Sequence, residues 1–159
     1  MELVGDLPRQ VKHFKARSIG ITANALATMR IPQHKQHHIA TFFAELDTVS
    51  DKLFEEHDCR SIALSVHAAA KAKAQAPDLF ANLDRSADWF LQNGNPQDIA
   101  NSVWACATLG VKAPKLLDGL DQNSDRLLRE GNPQDIPNSV WACATLGVNA
   151  PKLLDVLDK

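Results

Sequence analysis

Tyrosine is absent from this chain, and there are only seven glycines and eight prolines among its 159 residues. Few turn formers and the loss of a strand-favouring aromatic suit helices better than a β-sandwich. Cysteine is thin as well: Cys59, Cys106 and Cys143 are odd in number and form no C-x-x-C pair. A disulfide framework is therefore not expected, and a reducing compartment is. No apolar run approaches the length of a membrane span, so none is expected. Met1–Gly20 holds no apolar core of a secretory signal, and no such signal is expected. Gly-rich phosphate loops, H-E-x-x-H, G-x-S-x-G and paired-carboxylate motifs are also missing. The residues thus predict no enzyme, no cofactor, no metal and no small-molecule substrate.

What the chain does have is repetition. Residues 94–121 read GNPQDIANSVWACATLGVKAPKLLDGLD, and residues 131–158 read GNPQDIPNSVWACATLGVNAPKLLDVLD. Over these 28 positions only Ala100/Pro137, Lys112/Asn149 and Gly119/Val156 differ, at an offset of 37 residues. The same offset places Ile62, Ser65, Val66 and Ala68 under Ile99, Ser102, Val103 and Ala105. It also places Pro77, Leu79, Leu83 and Asp84 under Pro114, Leu116, Leu120 and Asp121. A first copy carries Leu46 and Asp47 in register, and its Ile19–Met29 half fits after a six-residue insertion within Ile31–Ile39. The domain organisation is then 18–57, 58–94, 95–131 and an incomplete 132–159, led by Ile19, Ile62, Ile99 and Ile136. Residues 1–17 read as the end of a preceding helix, with Val11 and Phe14 as its apolar residues. The chain reads as cut from a longer array.

Each unit reads as two helices. Asn95-Pro96-Gln97-Asp98 is a helix start, with Asn as cap, Pro in the first turn and an acid able to answer the cap. Ile99, Val103, Cys106 and Leu109 keep helical spacing, and Gly110 stands where a left-handed residue ends a helix. Pro114 restarts a second helix with Leu116, Leu117, Leu120, Leu127 and Leu128 as its stripe, and Gly131 closes it. Helix A is thus predicted over about 97–110 and helix B over about 114–130. Pro137, about one turn into the last helix A, predicts one lost backbone bond and a slight kink. A lone pair of short helices cannot bury its apolar face, whereas stacked pairs can, so the expected fold is all-α: an α-solenoid of four helix-turn-helix repeats.

The string Pro96-Gln97-Asp98-Ile99-Ala100-Asn101-Ser102-Val103-Trp104-Ala105-Cys106-Ala107-Thr108-Leu109-Gly110 resembles the repeat of octotricopeptide-repeat and FAST-kinase-like (leucine-rich) proteins. Those repeats are typified by P-Q-x-[LI]-A-N-x-x-W-A-x-A-x-L. The 37-residue period is also similar to that of heptatricopeptide repeats. The match is close in units three and four and weaker upstream, where His67 and Asn24 stand for Trp104. The resemblance implies an α-solenoid that binds single-stranded RNA in mitochondria or plastids and acts in RNA processing, stability or translation. Many such proteins end in a RAP domain, and nothing in this chain matches one. Outside an organelle the expected location is the cytoplasm. The alternative is a protein–protein interaction scaffold, which needs only the architecture.

Two columns are candidates for RNA contact. Arg17, Arg60, Gln97 and Gln134 share the second position of helix A, and all can donate hydrogen bonds. They equally suit a solvated first turn. Ile21, Leu64, Asn101 and Asn138 form the next column, where Asn101 and Asn138 can read a base edge or bridge neighbouring repeats. Trp104 and Trp141 invite stacking on a base, but the stronger expectation is core filling. Trp89 aligns with Lys52 and Arg126 and is expected at a partly exposed place on helix B. Cys106 and Cys143 lie in an apolar column and read as core. The insertion concentrates His34, His37 and His38, and a solvated loop is the default reading over a metal site.

The net charge of −2 argues at first against a nucleic-acid partner. Its distribution weakens that argument. Residues 1–40 carry six basic and two acidic side chains, while residues 41–159 carry 11 basic and 17 acidic. Only Asp98 and Asp135 among those 17 fall on helix A. Asp118, Asp121 and Asp125 on helix B read as a solvated outer face, open to protein partners.

Overall fold

The structure, a computed structural model, describes residues 9–156. Its α-helices are α1 (Ala16–Thr28), α2 (Gln36–Thr48), α3 (Ser50–Glu55), α4 (Cys59–Lys71), α5 (Pro77–Arg85), α6 (Ala87–Asn93), α7 (Pro96–Leu109), α8 (Pro114–Gln122), α9 (Ser124–Glu130), α10 (Asp135–Thr145) and α11 (Pro151–Val156). Short 3-10 turns cover Val11–His13 and Gln33–Lys35, and no strand occurs among the described residues. The all-α expectation holds. Of the expected tail over residues 1–17, Val11 is fully buried and Phe14 half-buried, while residues 1–8 lie outside the described part. The expected insertion loop is partly helical: the Gln33–Lys35 turn leads straight into α2.

The chain packs as two compact units, Met1–Asn82 and Leu83–Lys159. In the first, helix A of repeat one (α1) lies directly on helix A of repeat two (α4). The approach is close: a Cβ on Gly20 would stand 3.0 Å from the Cα and carbonyl oxygen of Ser61. In the second unit α7 lies on α10 in the same way. Three of the four leading isoleucines, Ile19, Ile62 and Ile99, are fully buried, and Ile136 is 7% exposed. Phe42 and Phe43 meet edge to face at 5.4 Å in the first unit.

Helix A of repeat three starts and stops as its sequence predicts, and parts of the pattern recur in its neighbours. Asn95 Oδ1 accepts from Asp98 N at 2.7 Å, and Asp58 Oδ1 accepts from Ser61 N at 3.1 Å. At the far end Gly110 (φ 68°) and Gly147 (φ 70°) take the left-handed conformation. Val111 N and Val148 N then reach back to the carbonyls of Cys106 and Cys143, each at 2.8 Å. Lys73 stands at the same repeat position with φ 55°, and Ala74 N bonds Ala69 O at 2.9 Å. The turn is therefore kept where the glycine is not.

Two expectations need correction. Helix B is not continuous: it breaks at Val49, Ser86 and Asn123, one repeat apart in each case. Asn123 has φ −102° and ψ 14°, and its own Nδ2 donates to Gly119 O at 2.7 Å. The residue after each break is small and buried: Ser50, Ala87 and Ser124. Pro137 is the second correction. The expected backbone bond is lost, but at the start of the helix rather than within it: Pro137 lies in the first turn of α10. The helix gives up its start instead. α7 begins at Pro96, but α10 begins only at Asp135, because Pro137 cannot donate to the Pro133 carbonyl. Asn132-Pro133-Gln134 forms a turn, with Asn132 N donating to Asp135 Oδ2 at 2.9 Å.

Helix B of each repeat caps the next helix B. Asp47 Oδ1 accepts from Leu79 N at 2.7 Å, Asp84 Oδ1 from Leu116 N at 2.9 Å, and Asp121 Oδ1 from Leu153 N at 2.8 Å. The helices that receive these caps are preceded by Ala76, Ala113 and Ala150, which have no side chain able to cap. Asp121 is 6% exposed, so the expectation that it belongs to a solvated face fails, whereas Asp118 and Asp125 are exposed. Burial and the charge of Asp78 raise the Asp47 carboxyl above its ordinary value, against the Leu79 hydrogen bond. At the opposite helix ends the Lys52/Arg126 column does the converse. Arg126 donates to Leu91 O and, at 2.6 Å, to Gly94 O, and Lys52 Nζ donates to Lys12 O at 3.3 Å.

Candidate functional site

One face of every helix A stays open. In the first unit it carries Arg17, Ile21, Asn24 and Thr28 on α1, and Arg60, Leu64, His67 and Lys71 on α4. In the second it carries Gln97, Asn101, Trp104 and Thr108 on α7, and Gln134, Asn138, Trp141 and Thr145 on α10. The spacing i, i+4, i+7, i+11 keeps each set on one side of its helix. The first column is exposed in all four repeats. Of the second, Leu64, Asn101 and Asn138 are half-buried and Ile21 is 53% exposed. Gln134 Nε2 donates to Asn138 Oδ1 at 3.2 Å, so in repeat four the two columns touch.

No member of this face is acidic. The acids of helix A are turned inward: Asp98 is 3% exposed and Asp135 4%, and Asp58 holds the start of α4. The two units differ in chemistry. The first presents cations, and the field they make is felt by His67. Burial first, then the charges of Lys71 and Arg60, push its imidazole below the ordinary value. The second presents amides, hydroxyls and indoles.

The tryptophans are not core. Trp104 is half-buried and Trp141 is 46% exposed, while the adjacent Val103 is fully buried. The reason is angular: Val103 points to the packed side of the helix, and one residue on, about 100° round, the side chain leaves it. Trp89 is half-buried, as its column suggests. Lys71 is the residue that motif reasoning missed. The repeat offset alone places it over Thr108 and Thr145, and so on the open face.

The thiols behave as core. Cys106 is fully buried, with burial and then the Asp84 charge pushing it up to about 12. Cys143 is 3% exposed and raised to about 11 by burial and Asp121. His37 and His38 are neighbours with ring centroids 3.9 Å apart, and His34 is exposed. Among the described residues no three His, Cys, Asp or Glu side chains come together as a metal site. On the helix B side of the second unit a cleft of about 470 Å³ is lined by Asp84, Asp88, Asp118, Arg85 and Lys115, a mixed lining with an acidic excess. No helix among the described residues is long and apolar enough to cross a membrane. In comparisons with known proteins, no family model matches the chain, and no curated protein is significantly similar to it.

Proposed function

We propose that this chain is an RNA-binding helical-repeat protein, an α-solenoid whose open helix A faces take single-stranded RNA. The observation that carries this reading is the acid-free face itself. In the first unit it offers cations at Arg17, Arg60 and Lys71, and in the second amides at Gln97, Asn101, Gln134 and Asn138, with Trp141 46% exposed. Unstacked bases are held by that combination: aromatic faces stack, amides pair with base edges, and cations meet phosphates. The resemblance of the Pro96–Gly110 motif to octotricopeptide and FAST-kinase-like repeats points the same way, and to a role in mitochondrial or plastid RNA processing, stability or translation. On this reading the role is binding rather than catalysis.

Fluorescence anisotropy with short single-stranded RNAs at two salt concentrations tests the proposal. Binding is expected to weaken as salt rises, because phosphate contacts release counterions. A folded chain that binds no RNA at low salt overturns it and leaves the face to a protein partner.

A further inference from the structure

We propose, resting on the RNA-binding reading above, that repeats three and four each read one base, that both read the same base, and that this base is adenine. Repeat four turns Gln134, Asn138 and Trp141 to its open side, and repeat three has Gln97, Asn101 and Trp104 at the same positions. Gln134 precedes α10, but its φ of −88° and ψ of −20° keep it in helical register. Identical side chains on equivalent helices offer identical chemistry, so whatever base one set takes, the other takes too. The sets are also neighbours: α7 lies on α10, and a Cβ on Gly131 would stand 3.2 Å from the Cβ of Pro96. Successive nucleotides of one strand can therefore meet successive sets.

The amides choose the base. Gln134 Nε2 donates to Asn138 Oδ1 at 3.2 Å, which leaves Gln134 Oε1 to accept and Asn138 Nδ2 to donate. Turning both amides over leaves the same count, one donor and one acceptor. Adenine answers that count, since its N6 amino group donates and its N7 accepts, and Asn and Gln are the side chains that pair with it. Guanine N7 and O6 both accept and call for Arg or Lys, and the cytosine amino group calls for a carboxylate. No charged side chain stands among Gln97, Asn101, Trp104, Thr108 and their repeat-four counterparts. The indole adds to the choice, because a purine covers more of it than a pyrimidine does.

The set stays accessible inside an array. With α10 packed on α7, Gln97 is still exposed, and Asn101 and Trp104 are half-buried. Repeats one and two lack the amide pair: Arg17 with Ile21 and Arg60 with Leu64 stand in those columns. Their cations meet phosphate whatever the base, so the adenine preference belongs to the second unit.

Fluorescence anisotropy of the full chain tests this, using short RNAs with a uridine flank and a central AA, AU, UU, CC or GG step. The AA probe should bind at least about tenfold more tightly than UU, CC or GG, the factor that one good bidentate contact supplies. The AU probe should gain about half as much on a logarithmic scale, since the two sets act independently. The exposed pair Gln97→Ala with Gln134→Ala, and separately Asn101→Ala with Asn138→Ala, should bring AA down to the level of UU. Neither double variant removes a charge, so the slope of log affinity against log salt should stay as in wild type. Far-UV circular dichroism checks that both are folded. Equal affinity for all probes, or preference for another base, overturns the inference and leaves RNA binding standing. So does an AA preference that survives in both double variants. A folded wild-type chain that binds none of the probes overturns the RNA-binding reading, and this inference with it.

Discussion

Asp84 Oδ1 accepts a hydrogen bond from the backbone N–H of Leu116 at 2.9 Å, across 32 residues of chain. The bond starts helix α8 with a cap that its own sequence lacks, since Ala113 precedes Pro114. An aspartate one repeat before and one repeat after repeats it, so the 37-residue offset sets which side chain starts which helix. Asp84→Ala leaves the Leu116 amide without its partner. The expected cost is about 1–2 kcal/mol in urea denaturation, as for loss of a helix cap. Amide exchange at Leu116 should quicken by more than elsewhere in α8, and an unchanged rate there would refute the capping role.

Lys73 holds φ 55° at the position where Gly110 has φ 68° and Gly147 φ 70°. A side chain there is strained, and the lysine is exposed, so nothing is gained from its contacts. Lys73→Gly should stabilise the chain by about 1 kcal/mol, net of the added freedom of the unfolded state. Gly110→Ala should cost a similar amount. Thermal melts of the pair check both signs.

Repeat four begins its helix A at Asp135, whereas repeat three begins at Pro96. Pro137→Ala restores the donor that repeat three has in Ala100. Carbon chemical shifts at Pro133 and Gln134 should then move to helical values. If they stay put, the late start has another cause.

The open face separates stacking from charge. Trp141→Ala should cost RNA binding about 1–3 kcal/mol, as loss of a stacking platform does, with Trp141→Phe recovering part. Arg60→Ala should also weaken binding, and should lower the slope of log affinity against log salt by about one unit. A Trp141→Ala variant that binds like wild type would remove stacking from the reading.

His67 titrates against the local cations. Its folded value is depressed, so the unfolded chain takes the proton first. Its contribution to stability is fully present above the ordinary imidazole value of about 6.5 and is lost as pH falls from there through the lower folded value. An NMR titration should place His67 below that value. Lys71→Ala should raise it part of the way, because burial is the larger cause. A normal His67 would overturn its burial, and a value that does not move in Lys71→Ala would mean that the face carries little field.

Much was determined by the sequence alone. The near-copy of residues 94–121 at 131–158, and the fainter copies upstream, dictate paired helices with the caps at Asn95 and Gly110 where the structure has them. These are local matters: an Asn side chain reaches its own first turn, and a glycine relieves its own backbone. The two polar columns were legible for the same reason, since 3.6 residues per turn assign a side once a helix is granted. Only the tertiary structure decided what each side meets. The acid at position 121 looks like its exposed neighbours at 118 and 125, yet it is buried because the next helix start lies over it. The indole at 141 looks like core and stands 46% exposed, because the packed side of α10 is taken up by the small residues Ser139 and Ala142. Periodicity names the sides of a helix; which side is covered depends on a neighbour whose atoms come from a different repeat.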